Sequence, residues 1–266
     1  MSAATIPAPS TAAPHRPRLV SAEILKVTST KMWLWMLLGV VGFVALGVVS
    51  SIFAPQTPGM EIPTLETEPG MRNLFAQSGA SYIFAIVIGT LGMTQEIRHQ
   101  TITSTFLAEP RRNAVMLAKM VAYAFVGAFY GLVGIVFGYA LALALLPLKS
   151  HADVPWGSLG QIAGGAILAA ALFAVLGVAV GALVRNQIAG VLGVLVWVLL
   201  VEQLVVGFLP DVGKWLPGGA VQGILQTTGL NNAQYLPVWG ATLLLLAWTA
   251  VLGTIAALTT QKRDVT

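Results

Sequence analysis

Between Met32 and Leu258 the chain gathers its apolar residues into six blocks, at about 32–54, 79–95, 114–146, 159–184, 187–209 and 238–258. A helix needs roughly 20 residues to cross the hydrocarbon layer of a bilayer, and these blocks are of that order. Inside lipid every backbone polar group must be paired within its own segment, which leaves helices as the form such blocks take. Only 9% of the 266 residues are charged and 56% are hydrophobic, against about 25% charged in an ordinary soluble domain. The expected fold is therefore an all-α integral membrane protein with six transmembrane helices.

The formal net charge of +4 does not point to nucleic acid, because the basic residues are sorted by side rather than gathered on one face. A chain that starts inside places Arg16, Arg18, Lys26, Lys31, Arg98, Arg111, Arg112, Lys119, Arg185, Lys262 and Arg263 on the cytoplasmic side. Of the fourteen Lys and Arg residues this leaves only Arg72, Lys149 and Lys214 outside. That bias sets the expected orientation, with both termini cytoplasmic in the cell (plasma or inner) membrane. There are no cysteines, which excludes disulfides, thiolate metal sites and cysteine nucleophiles. His15, His99 and His151 fall in separate segments without a ligand spacing, so no metal is expected. A polar stretch precedes the first block and Pro55 follows its end, so that block reads as a retained helix rather than a cleaved signal.

Residues 1–17 are rich in Ala, Pro, Ser and Thr and are expected to form a disordered cytoplasmic tail. Residues 18–266 read as a single transmembrane domain. From Arg18 to Lys31 the apolar Val20, Ile24 and Val27 recur at helical spacing among charges, which predicts a helix lying in the membrane interface. Trp33 and Trp35 stand at the start of the first span, where aromatic residues favour the interface. The polar stretch 55–78 reads as an outer segment. Arg185 and Asn186 alone separate spans four and five, which makes those helices an antiparallel hairpin. Residues 210–237 mix Asp211, Lys214 and several glycines with Val221, Ile224 and Leu225, too broken for a full span. They read as one or two short helices re-entering partway from outside.

The most informative stretch is Glu96–Lys119, EIRHQTITSTFLAEPRRNAVMLAK. Glu96, Arg98, Glu109, Arg111 and Arg112 cannot enter lipid unpaired, while Ile97, Ile102, Phe106 and Leu107 give the segment an apolar side. Such an element can lie on the membrane and offer a polar face to a soluble partner, with Pro110 turning the chain toward span three. Glu96, Arg98, Thr101, Thr103, Leu107, Pro110, Arg111, Val115 and Lys119 together resemble the signature of ABC-2 type transporter permeases, the membrane subunits of one class of ATP-binding cassette exporters. The resemblance implies that segment 96–112, after the second helix, is a cytoplasmic coupling helix meeting an ATPase. It places Glu96, Arg98, Thr101 and Arg111 at or near that joint. It also implies two permease units, identical or related, working with two ATPase subunits in export of a drug, antibiotic or lipid-like compound.

The chain itself lacks a phosphate-binding loop. The nearest approach, Gly207–Trp215 (GFLPDVGKW), has the wrong glycine spacing, and Trp215 stands where Ser or Thr would hold magnesium. The chain is therefore not expected to be an enzyme or to bind a cofactor, and ATP and magnesium belong on the partner subunit. Glu202 is the one acidic residue inside an apolar span. It reads either as a polar point in the substrate path or as a structural carboxyl bonded to the re-entrant segment near Lys214. The pairs Gly127 and Gly131, Gly134 and Gly138, and Gly177 and Gly181 have the spacing that lets membrane helices approach closely, and packing within one subunit is their expected use. Trp197, Trp239 and Trp248 read as packing or interface residues. Two other function classes remain in view: an ion- or proton-coupled secondary transporter, for which Glu202 would be the coupling group, and a non-transporting membrane scaffold. Paired carboxylates and metal-ligand sets are absent from the spans, which argues against a membrane-embedded enzyme.

Overall fold

The computed structural model describes residues 16–53, 63–101, 105, 107, 109, 111–229 and 234–262. All regular structure among them is helical. Six helical stretches are long and apolar enough to cross a membrane: Met32–Phe53, Glu68–Arg98, Arg112–Leu148, Trp156–Val184, Gln187–Phe208 and Val238–Thr260. This is the architecture of an all-α, multi-pass membrane protein.

In chain order, α1 (Arg16–Thr28) leads into α2 (Met32–Phe53). The second stretch combines α3 (Glu68–Ala76), a 3-10 segment (Gln77–Ser81) and α4 (Tyr82–Arg98). The third is α5 (Arg112–Leu145), the fourth α6 (Trp156–Val184). The fifth comprises α7 (Gln187–Val196), a π-helical turn (Trp197–Val201) and α8 (Glu202–Phe208). Two short helices follow, α9 (Pro210–Gly213) and α10 (Pro217–Ile224), before α11 (Val238–Lys262) closes the bundle.

The apolar blocks and the helices coincide closely except at the second, which starts at Glu68 rather than near Gly79. Part of the polar stretch read as an outer segment is helix. Thr67 stops the extended chain with φ −117° and ψ 149°, its hydroxyl accepts from the Gly70 N–H, and proline occupies the first turn, a strong start signal. Glu68 pairs with Arg72 one turn on. Ser78 and Ser81 are fully buried because Gly134 and Gly138 of α5 leave room for them: a Cβ on Gly134 would lie 2.9 Å from the Ser78 carbonyl oxygen.

This second stretch is the centre of the bundle. Of its most apolar window 83% is buried, against 22% in α2 and 17% in the α7–α8 span. Backbones meet directly around it. A Cβ on Gly89 would fall on the Ala174 carbonyl, one on Gly177 on the Ile86 carbonyl, and one on Gly127 on the Ala170 carbonyl. The three glycine pairs therefore face neighbouring helices of the same chain, as small residues allow where backbones must touch. Edge contacts between Tyr82 and Phe173 at 4.7 Å and between Phe75 and Tyr139 at 5.1 Å fill the gaps between these helices.

The α6–α7 turn uses Arg185 in the left-handed conformation (φ 58°), and the side chain of Asn186 accepts from the Ala189 N–H to cap α7. At the other end of the bundle α10 packs on α11, and the Trp248 indole donates to the Trp215 carbonyl at 3.0 Å. The side chain of Asn73 ties α3 to the loop after α10, donating to the Thr228 carbonyl at 3.1 Å and accepting from the Thr228 N–H at 2.9 Å.

Candidate functional site

The start of α2, the end of α4, the start of α5 and the α6–α7 turn share one end of the bundle, called here the basic end, and α1 packs across it against α5. Glu23, Lys26 and Val27 lie on one face of α1, because residues three and four apart are neighbours on a helix. Most of that face is buried: Val27 is in the core and Glu23 is 4% exposed, while Lys26 at its edge stays partly exposed. Lys119, about two turns into α5, is 2% exposed, and Glu96 in the last turn of α4 is also buried.

These four side chains form one closed ionic cluster. The Lys119 ammonium donates to Oε2 of Glu23 and, at 2.8 Å, to Oε1 of Glu96. The Lys26 ammonium donates to Oε1 of Glu23 at 2.6 Å and to Oε1 of Glu96 at 2.8 Å. Two carboxylates and two ammoniums cancel, which is the condition under which charges tolerate burial. Burial works against the charged form of Lys26, but its bonds to Glu23 and Glu96 together outweigh that and hold its pKa above the ordinary lysine value. Lys119 also stands 5.8 Å over the ring of Tyr123, one turn along α5, and Tyr123 fits into the space that a side chain on Gly92 would occupy. A cavity of about 320 Å³ lies beside the cluster, lined in part by Lys26, Glu96, His99 and Tyr123. The arrangement clamps three helices, α1, α4 and α5, at a single point.

The residues singled out in the sequence are distributed as follows. Glu96 is a member of the buried cluster and lines the cavity beside it. Arg98 is exposed and donates to the Gln187 side chain at 3.1 Å, bridging the end of α4 to the start of α7. Thr101 is exposed beyond a turn in which Gln100 takes φ 57°, and its hydroxyl donates to the Glu96 carbonyl at 3.4 Å. Arg111 is exposed and pairs with Glu109 at 2.9 Å, holding that carboxyl below the usual range through the hydrogen bond. Ile102, Thr103, Ser104, Phe106, Ala108 and Pro110 lie outside the described residues. Glu23 and Lys26 were not candidates on sequence grounds. Their i, i+3 spacing marks a shared helix face, but only the packing of α1 reveals that Glu23 is buried there.

Glu202 is fully buried at the opposite end. The π-helical turn before it carries the Glu202 N–H to the Trp197 carbonyl, five residues back. This wider turn brings the two side chains onto one face, and the Trp197 indole donates to Oε1 of Glu202 at 2.8 Å. The carboxylate packs against Gly218 in the first turn of α10, where a Cβ would overlap it. Lys214 pairs with Asp211 instead, at 2.9 Å.

Among the described residues, no group of three or more His, Asp or Glu side chains is placed to hold a metal ion. No protein-family model matches the chain, and no curated protein matches it either.

Proposed function

We propose that this chain is the membrane-spanning permease of an ATP-driven exporter of the ABC-2 type, with nucleotide hydrolysed by a separate cytoplasmic subunit. The observation that carries the reading is the ionic cluster of Glu23, Lys26, Glu96 and Lys119 beside the charged segment that resembles a coupling helix. A transporter worked from one side needs a joint there that passes displacement to several helices together. Four mutually paired charges holding α1, α4 and α5 supply such a joint, since buried pairs resist separation far more than exposed ones.

In this reading the basic end faces the cytoplasm, in accord with the positive-inside bias. α1 rests at the membrane interface, and α9 and α10 re-enter partway from outside. Arg98, Thr101 and Arg111 lie at or near the contact with the ATPase, and Glu96 acts as a positioning residue through Lys26 and Lys119. A second permease unit and a pair of ATPase subunits complete the transporter in the cell membrane.

The test is purification of the tagged protein in mild detergent from its native host, with magnesium-dependent ATP hydrolysis measured for the unaltered protein and for Glu96→Gln and Arg98→Ala. The expected result is a stoichiometric nucleotide-binding subunit whose ATPase rate no longer responds to the permease in the variants. Recovery of the six-helix protein alone under several gentle conditions would overturn the proposal in favour of a secondary carrier or a scaffold.

A further inference from the structure

At the end of the bundle opposite the ionic cluster lies a second and larger cavity, of about 660 Å³. That is the size range of sites that enclose small molecules. Its walls come from the end of α2, from α3 and the 3-10 segment after it, from α8, and from the loop following α10.

The chemistry of these walls is distinctive. Ser51, Gln77, Gln203, Gln222, Thr227 and Tyr235 all line the cavity, each a neutral side chain able to donate or accept. Gln203 sits in a segment apolar enough to be a span and is exposed. Its amide donates to the Val198 carbonyl at 3.4 Å, and the donor and acceptor capacity beyond that bond is costly against hydrocarbon and tolerated where it meets water or a polar ligand. Gln77 stands in the most buried stretch of the bundle, yet it too reaches the cavity, lying over Gly47 of α2. Among the described residues, Ser51, Gln77 and Tyr235 hold no side-chain hydrogen-bond partner, so their capacity is open. The far wall is preformed: Thr227 donates to the Gln222 side chain at 2.7 Å, and Asn73 holds Thr228 through both its backbone groups.

Charge and aromatic content narrow the class of ligand. Among the described residues the charged lining consists of one carboxylate, Glu66, and one ammonium, Lys149, equal in number and opposite in sign. Tyr235 is, among the described residues, the one aromatic side chain in the lining. A lipophilic cation is recognised best by several aromatic faces or by carboxylates in excess of positive charge, and among the described residues this wall offers a single ring and no such excess. Glu202, next to Gln203 in sequence, turns away into its contact with Trp197 and Gly218. Ile52, Leu65, Leu74 and Val206 supply an apolar portion of the wall at least as large as the polar one.

We propose that this cavity binds a neutral, hydroxyl- and amide-rich group, of which a sugar unit on an amphipathic compound is the type. The hydroxyls of such a group both donate and accept, matching amides and hydroxyls that do the same, while its apolar part rests on Ile52, Leu74 and Val206. The group arrives either on a soluble glycosylated compound or as the headgroup of a glycolipid. Export of that compound rests on the exporter reading; the binding itself does not.

The test uses the full chain in phosphatidylcholine nanodiscs, without ATPase, photolabelled by an alkyl glucoside bearing a diazirine on its alkyl chain near the sugar and mapped by mass spectrometry. Expected is labelling within the peptides that hold Gln77, Gln203 and Tyr235, competed by excess neutral glucoside and unchanged by tetraphenylphosphonium. Gln77→Leu with Gln203→Leu is expected to weaken labelling about tenfold through the lost hydrogen bonds, while an unchanged thermal midpoint shows that the protein is folded. Competition by maltotriose in solution assigns the site to soluble compounds, and competition only by a diglucosyl lipid in the disc assigns it to a headgroup. Labelling that falls elsewhere, that yields to the cation, or that persists in the folded double variant overturns the proposal. Loss of ATPase association with labelling intact would remove the exporter reading and leave this site standing.

Discussion

Lys119 and Glu23 are 96 positions apart in the chain and are joined by a direct, buried hydrogen bond between their charged groups. The bond fastens α1 to α5, and through Glu96 the same ammonium reaches α4. Removing Lys119 leaves two carboxylates sharing a single ammonium that is itself partly exposed. Lys119→Met is therefore expected to destabilise the protein by about 3–5 kcal/mol. Thermal unfolding in detergent checks this, with Lys119→Arg expected to retain much of the loss.

The Lys26 contribution has a defined pH window. Its pKa in the folded protein lies above the ordinary lysine value of 10.5, so the stability it adds is fully present below that pH and disappears as pH rises through the folded value. The difference in unfolding midpoint between the unaltered protein and Lys26→Met is expected to stay constant through neutral pH and to shrink only above about 10.5. A difference that falls between pH 6 and 9 would contradict the assignment.

Backbone contact between α4 and α6 makes Gly177 intolerant of a side chain, because a Cβ there overlaps the Ile86 carbonyl, which cannot move aside. Gly177→Val is expected to cost about 3 kcal/mol or more. Gly164 lies on the same helix with nothing within 4 Å of its would-be Cβ, and Gly164→Ala is expected to be neutral. Comparing the two unfolding midpoints isolates the contact from any general effect of replacing glycine in α6.

The Asn73 side chain makes both hydrogen bonds to Thr228. Asn73→Ala is expected to cost about 1–3 kcal/mol and to raise hydrogen exchange at the Thr228 amide, with little change at amides of α4. Uniform acceleration across the bundle would show instead that the bond is part of global stability.

The Trp197 indole depends on Glu202 for its acceptor. Glu202→Gln keeps an oxygen for it, whereas Glu202→Leu leaves the indole N–H without that acceptor in an apolar segment, at about 1–3 kcal/mol. Unfolding midpoints are expected to rank the unaltered protein and Glu202→Gln together, with Glu202→Leu below both.

The amount of this structure that could be read from the chain depends on range. Apolar blocks long enough to cross a bilayer declare themselves locally, and the tight turn at Arg185 and Asn186 did so too. The start of the second helix did not, because Glu68, Arg72, Ser78 and Ser81 look like loop until their partners Arg72, Glu68 and the glycines of α5 are in place. The cluster was half visible. Glu96 and Lys119 stood out in the charged segment, but nothing in periodicity says that α1 folds back to bring Glu23 and Lys26 to them. Glu202 was conspicuous as a charge in an apolar run, while its partner was hidden because Trp197 lies at a spacing an α-helix does not bring together.

That spacing has a further consequence. The five-residue π-helical turn at Trp197–Val201 holds more chain than an α-helical turn, and each residue rotates an α-helix by about 100°. Everything beyond it is therefore set at an angular phase that an unbroken helix would not have. Gln203 and Val206 face the larger cavity, and Glu202 faces Gly218, only at that phase. Deleting a single residue from the turn would leave the span apolar and long enough to cross, yet rotate the part beyond it by roughly a quarter of a turn. The amide would then meet hydrocarbon, and the carboxylate would leave its indole. The wide turn works as an angular setting for the wall of the cavity, independent of the composition of the span that carries it.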